Sequence, residues 1–407
     1  MNVVFFLLVS SAFALSAWAG GDAMARLGEA ALKAAEGAVP LALGLVGVMA
    51  LFLGVMKVAE EGGLVRAVAR LLSPLLARLF PDVPANHPAM GAMVMNVAAN
   101  LLGLGNAATP FGIRAMEHLE RLNSKPGTAS NAQVLFLAIN TAGVTILPTS
   151  VIALRATLGS ADAAAVVAPT LFATLVSTIV AIAAARMLQG HATPSIPDTE
   201  AVADQQMAPA PLWACLLALA MLLAFIPLMV VKGAAVGPWI VPTLIVGLLG
   251  YGLARRVAVY EVFVEGAREG FTIAVRIIPY LVAILVAIGM FRASGAMDAV
   301  LGPLGRLLAP LGVPAEALAM AGMRTLSGSG SFGLLASYLR DPAIGPDSMT
   351  GVLLGTIYGS SETTFYVIAV YFGAVGIRRM RHALAAGLIA DLAGLCAAVA
   401  ACLYLYG

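Results

Sequence analysis

Nine apolar runs, at roughly residues 2–19, 38–58, 131–154, 162–185, 211–231, 237–254, 274–291, 348–372 and 383–405, are each long enough to cross about 30 Å of hydrocarbon. Such runs leave few folds open, because backbone polar groups in lipid must be paired within the protein, as helices pair them. Composition agrees: 61% of the 407 residues are hydrophobic, 11% are charged and the mean hydropathy is +0.96, far from a soluble domain. The chain is expected to be an all-α polytopic membrane protein. Its first run, NVVFFLLVSSAFALSAWAGG, carries small residues near Ala17 to Ala19 as a signal peptide would, but lacks a basic leading region and has full crossing length, so it reads as a transmembrane helix. Cys215, Cys396 and Cys402 fall in apolar runs without metal spacing and read as small core residues.

The chain is written twice. LSPLLARLFP (72–81) is answered by LGPLGRLLAP (301–310) with both prolines in register, and AVPLALGLVGVMALFLGV (38–55) by RIIPYLVAILVAIGMF (276–291). The short basic stretch GDAMARLGEAALKAAEG corresponds to YEVFVEGAREGF, each expected as a surface helix before a crossing. Downstream, NVAANLLGLGNAATPFG (96–112) falls opposite RTLSGSGSFG (324–333), and NTAGVTILPTSVIAL (140–154) opposite SSETTFYVIAV (360–370). The polar linker QGHATPSIPDTEAVADQQMAPAP (189–211) and the unmatched run 212–231 stand between the copies. The expected units are 1–188, a linker plus connecting helix at 189–236, and 237–407. With the glycine-rich segments as re-entrant hairpins, five crossings precede the second unit, and an odd number inverts it. Inverted repeats with discontinuous helices are a recurrent build of secondary transporters. With the N-terminus inside, fifteen of the 23 Lys and Arg fall on the cytoplasmic side, among them Arg378, Arg379 and Arg381, against eight outside. A bacterial inner-membrane protein with a cytoplasmic N-terminus is therefore expected.

Irregular backbone at membrane depth is tolerated only where protein buries it or water reaches it. Gly103 and Gly105 permit a break in LGLGN, and Pro110 suits the first turn of the next helix. The helix ends, with Asn96, Asn100, Asn106 and Thr109, supply donors and acceptors for a polar solute or ion. Asn96 and Asn100, four apart, share one helical face. Ser327, Ser329 and Ser331 make the equivalent break in the second half, and the three asparagines are expected beside them. Asn140, Thr141 and Thr145 lie before Pro148, which frees a carbonyl near Val144. In the matching segment Ser361, Glu362, Thr363 and Thr364 surround the most expensive residue of the chain: a carboxylate in a transmembrane run costs several kcal/mol unless neutralised or solvated. Glu362 is thus expected to bind solute or couple an ion or proton, with Asp391, in GLIADLAGL, as a second titratable candidate. The blander readings are an Arg324–Glu362 structural pair, a helix-joining Asp391, and amides that merely bridge helices at about 0.6 kcal/mol each. Matched positions in two repeats favour a site.

His87, His118, His191 and His382 are scattered and form no metal cluster. No Walker sequence, dinucleotide fingerprint or nucleophile elbow is present, and SGSG lacks the lysine and strand of a phosphate loop, which argues against an ATP-driven pump. No metal, cofactor or nucleic acid is expected as a partner, and an intramembrane enzyme would lack its dyad.

GLGNAATPFGIRAM and ALGLVGVMALFLGVMKVAEEGGL resemble spore maturation protein A, whereas VYEVFVEGAREGF, IIPYLVAILVAIGMFRASGAMD and SETTFYVIAVYFGAVGIRRMRHAL resemble spore maturation protein B. Both belong to the nucleoside recognition, or Gate, domain group, which is similar to parts of concentrative nucleoside transporters and of ferrous iron permeases. The resemblance covers nearly the whole chain and implies two inverted Gate-type repeats; it carries no residue-level map. The leading expectation is a secondary transporter or permease for a small polar solute, nucleoside-like or ion-coupled, held between the repeats. The alternatives are a non-transporting membrane scaffold or envelope and spore maturation factor, and, third, an intramembrane enzyme. Membrane lipid is the expected surroundings, and homo-oligomers are expected by analogy with such transporters.

Overall fold

The computed structural model describes residues 2–103, 108–143, 145–189 and 210–406, and every regular element among them is a helix. The first half contains α1 (Asn2–Ala19), α2 (Gly21–Glu61), α3 (Leu64–Leu79), the hairpin α4 (Pro88–Leu101) and α5 (Thr109–Arg121), the broken pair α6 (Asn131–Ala142) and α7 (Thr149–Thr157), and α8 (Val167–Met187). The second half repeats the order: α9 (Leu212–Ala254), α10 (Val259–Ala293), α11 (Ala296–Leu308), the hairpin α12 (Ala315–Leu326) and α13 (Gly328–Arg340), the broken pair α14 (Met349–Gly359) and α15 (Thr364–Ala374), and α16 (Ala383–Tyr406). Pro74 and Pro303 lie inside α3 and α11, and Pro40 and Pro279 inside α2 and α10, so the prolines that aligned in sequence occupy matching elements.

The expected surface helices at 21–37 and 260–271 are not separate: each runs unbroken into the crossing behind it. The reason is their mutual packing. α2 and α10 lie antiparallel, with Gly54 against Phe263, Gly270 against Ala50 and Gly289 against Ala34, so the polar start of one helix is supported by the apolar body of the other. Their small residues let the two backbones approach closely, as in other membrane helix pairs.

The same inversion recurs elsewhere. Arg155, at the end of α7, meets Asp347, just before α14, whereas Thr128, before α6, bridges Arg379, after α15. Tyr406, at the end of α16, donates to the carbonyl of Ala165, in the turn just before α8 (2.9 Å). The two halves therefore run in opposite senses, as an inverted repeat requires. One end of the molecule carries Arg186, Arg255 and Arg379; the opposite end carries the Arg155–Asp347 pair.

Runs 211–231 and 237–254 form one element of 43 residues, so the expected boundary at 236 falls inside a helix. A straight helix of that length would reach about 64 Å. Yet both ends of α9 touch the same corner: Ala210 N donates to Arg70 O and Arg255 Nε to Gly62 O, each at 3.1 Å. Eight residues can separate Gly62 from Arg70 by no more than about 29 Å, so α9 does not run straight from end to end.

Among the described residues, three helices are long and apolar enough to cross a membrane unaided, Gly21–Glu61, Ala163–Met187 and Ala383–Tyr406, and a fourth span forms if Leu281–Ala293 and Ala296–Leu308, bent by 78°, act together. The runs 131–154 and 348–372 fail that test because each is broken into two short arms. Trp18, Trp239 and Ile179, 90%, 70% and 66% exposed, belong to the apolar outer surface that lipid would cover. Inside, one buried apolar cluster packs around the first hairpin and a second around the other. Of the cysteines, Cys215 and Cys402 are buried as expected, but Cys396 is exposed on that outer surface.

Candidate functional site

Hairpin arms of 12 to 14 residues reach about 18–21 Å, too short to cross the hydrocarbon, so each hairpin turns back at depth. At the first tip, Gly103 adopts φ +74°, a left-handed conformation in which a side chain would also strike Leu147 O, and Ile146 N donates to Leu101 O (3.1 Å). The first tip thereby rests on the first broken helix. That helix ends at Gly143, φ +39°, and restarts behind Pro148. At the second tip, Ser327 leaves α12 in extended conformation and caps α13 by accepting from Gly330 N (3.0 Å). Arg324, one turn earlier, donates from Nε to Ser361 O (2.8 Å), and its Nη2 reaches the same carbonyl, so the second tip rests on the second break. The breaks are joined to each other: Glu362 N donates to Thr141 O (2.9 Å), and Gly143 lies against the Glu362 side chain. All four discontinuities therefore meet, which supplies at one place the unpaired helix ends that a polar solute needs.

The asparagines form a chain. Asn100 Nδ2 donates to Asn140 Oδ1 (2.9 Å), Tyr371 Oη donates to the same oxygen (3.3 Å), and Asn96 Nδ2 donates to Tyr371 Oη (3.2 Å) and Ala108 O (2.9 Å). Asn96 and Asn140 are buried, and Asn96 Oδ1 is buried without a hydrogen-bond partner. Tyr371, which sequence reading missed, comes from α15 of the other half; a tyrosine in an apolar helix with a polar tip to satisfy is the signal that could have found it. Asn106 lies outside the described residues. Asn140 and Thr141 also bond back to the carbonyls of Phe136 and Leu137, and Thr145 Oγ1 donates to Gly143 O. Thr109 opens α5 and is partly buried.

The serines are placed differently from expectation. No hydrogen bond among the described residues joins Asn96 or Asn100 to Ser327, Ser329 or Ser331. Ser327 and Ser331 are occupied locally, Ser331 donating to Gly328 O (2.9 Å), because a helix start must satisfy its own free groups first; only Ser329 is exposed.

Glu362 pairs with Arg324 at 3.5 Å, as the structural alternative anticipated, but the two side chains differ: Arg324 is 8% exposed and Glu362 is 47% exposed. The guanidinium is fixed from behind by Ser361 O and by Thr363 Oγ1 (3.5 Å), and lies over the Tyr358 ring at 4.5 Å. The carboxylate faces open space. Beyond it, Thr364 and Thr325 both donate to Asp391 Oδ2, at 2.6 and 3.3 Å. No group of three or more His, Cys, Asp or Glu that could hold a metal occurs among the described residues.

These features stand inside two matched segments. The family model described as Gate, nucleoside recognition, matches residues 42–189 and 274–378, which contain both hairpins and both broken helices. Spore maturation protein A of Bacillus subtilis (strain 168) is 46% identical over 154 residues, 38% of this chain and 79% of that protein. Spore maturation protein B of the same organism is 45% identical over 167 residues, 41% of this chain and 93% of that protein. Among solved structures, a CNTnw variant in an outward-facing state aligns over 98% of this chain and 91% of that chain, with 17% identity and a TM-score of 0.49. With the family model spanning most of the chain, and relatives of such identity covered over most of their own length, the chain belongs to the Gate nucleoside recognition family.

Proposed function

We propose that the chain is a secondary transporter or permease of the bacterial inner membrane, N-terminus inside, that holds one small polar solute where the two repeats' breaks meet. The observation that carries this reading is Glu362: a carboxylate anchored by a buried guanidinium, half open, and bonded through its backbone to the opposite repeat. A carboxylate and free helix ends suit vicinal hydroxyls, and amides beside an aromatic ring suit the edge and face of a heterocyclic base. The family's description supports a nucleoside-like solute on those terms. Solute contacts are assigned to Asn100, Asn140, Ser329, Ser361 and Glu362, with Asn96, Thr141, Thr363 and Thr364 holding them in place. The one alternative is a non-transporting membrane scaffold or envelope and spore maturation factor, the latter being what the relatives' names describe.

The test is metabolite profiling of a deletion strain followed by uptake of the accumulated solute in liposomes. Glu362→Gln, which keeps shape and removes titration, should lose accumulation while retaining exchange, and Glu362→Ala should lose both. Absence of any flux through folded wild-type protein favours the scaffold. Wild-type pH and ion dependence in both variants makes Glu362 a structural acid.

A further inference from the structure

We propose that the centre of the molecule takes up one additional monovalent cation, a proton or Na⁺, at Asp391, and that this uptake is the coupling event of the transport cycle. The coupling role rests on the transporter reading; the uptake does not.

Charge and hydrogen bonding both point to Asp391. Three charged side chains stand together at this depth among the described residues: Arg324 from α12, Glu362 from the second break, and Asp391 from α16. The guanidinium is committed to Glu362 Oε2 at 3.5 Å and to Ser361 O, so Asp391 has no cation of its own. Its Oδ2 accepts from Thr364 and Thr325, whereas its Oδ1 is buried with no hydrogen-bond partner. With both acids ionised the cluster carries one uncompensated negative charge, and an ionised oxygen buried without a donor is the costliest way to hold it.

The elements packed around α16 do not supply the missing charge. α6 presents Thr141, beside Gly387; α8 presents Ser177, which donates to Ala390 O (2.9 Å); α14 presents Thr356, beside Cys402; α15 presents Thr364; and α12 presents Thr325 and Arg324, whose guanidinium is already paired with Glu362. A proton on Oδ1, or Na⁺ held by Oδ1 and neighbouring oxygens, makes the cluster neutral. The same bonds carry the event outward: Thr325 follows Arg324 at the second hairpin tip, and Thr364 opens α15 two residues after Glu362. Loading Asp391 thus alters the anchor of both elements that frame Glu362.

The experiment uses the full chain in phosphatidylcholine–phosphatidylglycerol nanodiscs without solute. Thermal unfolding is followed from mildly acid to mildly alkaline pH in choline chloride, then in NaCl at equal ionic strength, together with the infrared carbonyl band of protonated carboxyl groups. The unfolding midpoint should rise by a few degrees on acidification if the ion is a proton, or on adding Na⁺ at alkaline pH if it is sodium. Asp391→Asn, neutral and nearly isosteric, should abolish that response, and Glu362→Gln, which frees the Arg324 guanidinium to compensate Asp391, should weaken it. A wild-type response in Asp391→Asn overturns the proposal. So does a wild-type protein that answers to neither ion and shows no titrating carboxyl band, a reading that stands even if Asp391→Asn does not fold. Liposome uptake that fails while this response persists sinks the transporter reading alone.

Discussion

Gly112 illustrates how a single position sets the amide chain. A Cβ there would collide with the Tyr371 hydroxyl, so hydrogen at this position is what lets Tyr371 reach between Asn96 and Asn140 from the other half. Gly112→Ala is expected to destabilise the protein by about 1–3 kcal/mol, the range for overpacking a filled site. Tyr371→Phe should cost less, about 1 kcal/mol, because Asn96 and Asn140 keep their partners Ala108 and Asn100. Thermal unfolding in one detergent compares the two, and wild-type stability in Gly112→Ala would mean that the ring moves aside without loss. At this scale the sequence exposed the acids and amides, since each is conspicuous in an apolar run. It concealed Tyr371, because a tyrosine among aliphatics looks like core, whereas the Arg324–Glu362 pair was legible as the structural alternative.

Helix pairs follow a similar division. The breaks at Gly103, Gly143, Ser327 and Ser360–Thr363 were legible because glycine, proline and clustered hydroxyls interrupt an apolar period. The continuity of α2 and α10 was not, because polar residues at 21–37 and 260–271 look like surface until an antiparallel partner supports them. Arg155 is the sharper case: it directly follows an apolar run and is wholly buried, donating to Ser160 Oγ, Asp162 O and Asp347 Oδ1 at 3.1, 2.8 and 3.2 Å and also to Pro346 O. It fastens the end of α7 to the start of α14. Burial works against ionisation of Asp347, but hydrogen bonds from the Ser160 hydroxyl and Ala161 amide and the charge of Arg155 outweigh it and hold the carboxyl below its ordinary range. The stabilisation is therefore complete above the ordinary carboxylate value near 3.8 and is lost as pH falls through the lower folded value. Because Asp347 is 45% exposed, the effect should stay under about 1 kcal/mol. Asp347→Asn should flatten the acid limb of an unfolding titration below about pH 4; an unchanged limb would assign it to another carboxylate.

Across the whole molecule, repetition in sequence is matched by inversion in space, as the antiparallel α2 and α10 and the Arg155–Asp347 and Thr128–Arg379 contacts at opposite ends show. Tyr406, bonded to Ala165, stands at the end away from Arg186, Arg255 and Arg379, and the proposed orientation puts the N-terminus on the arginine-rich side. Single cysteines at the two termini, in a background lacking Cys215, Cys396 and Cys402, should label from opposite sides of intact vesicles. Labelling from one side would contradict the inversion. The seam between α2 and α10 has a mechanical meaning. Where Gly270 meets Ala50 and Gly266 meets Leu53 O, one backbone rests on the other with no long side chain between to change rotamer and absorb movement. Such a contact cannot slide a little; it holds register or lets go. On the transporter reading proposed above, the seam is a fulcrum, and alternation between the two faces of the membrane would fall to the parts hung from it, the hairpins and the half-helices whose joints are already unwound.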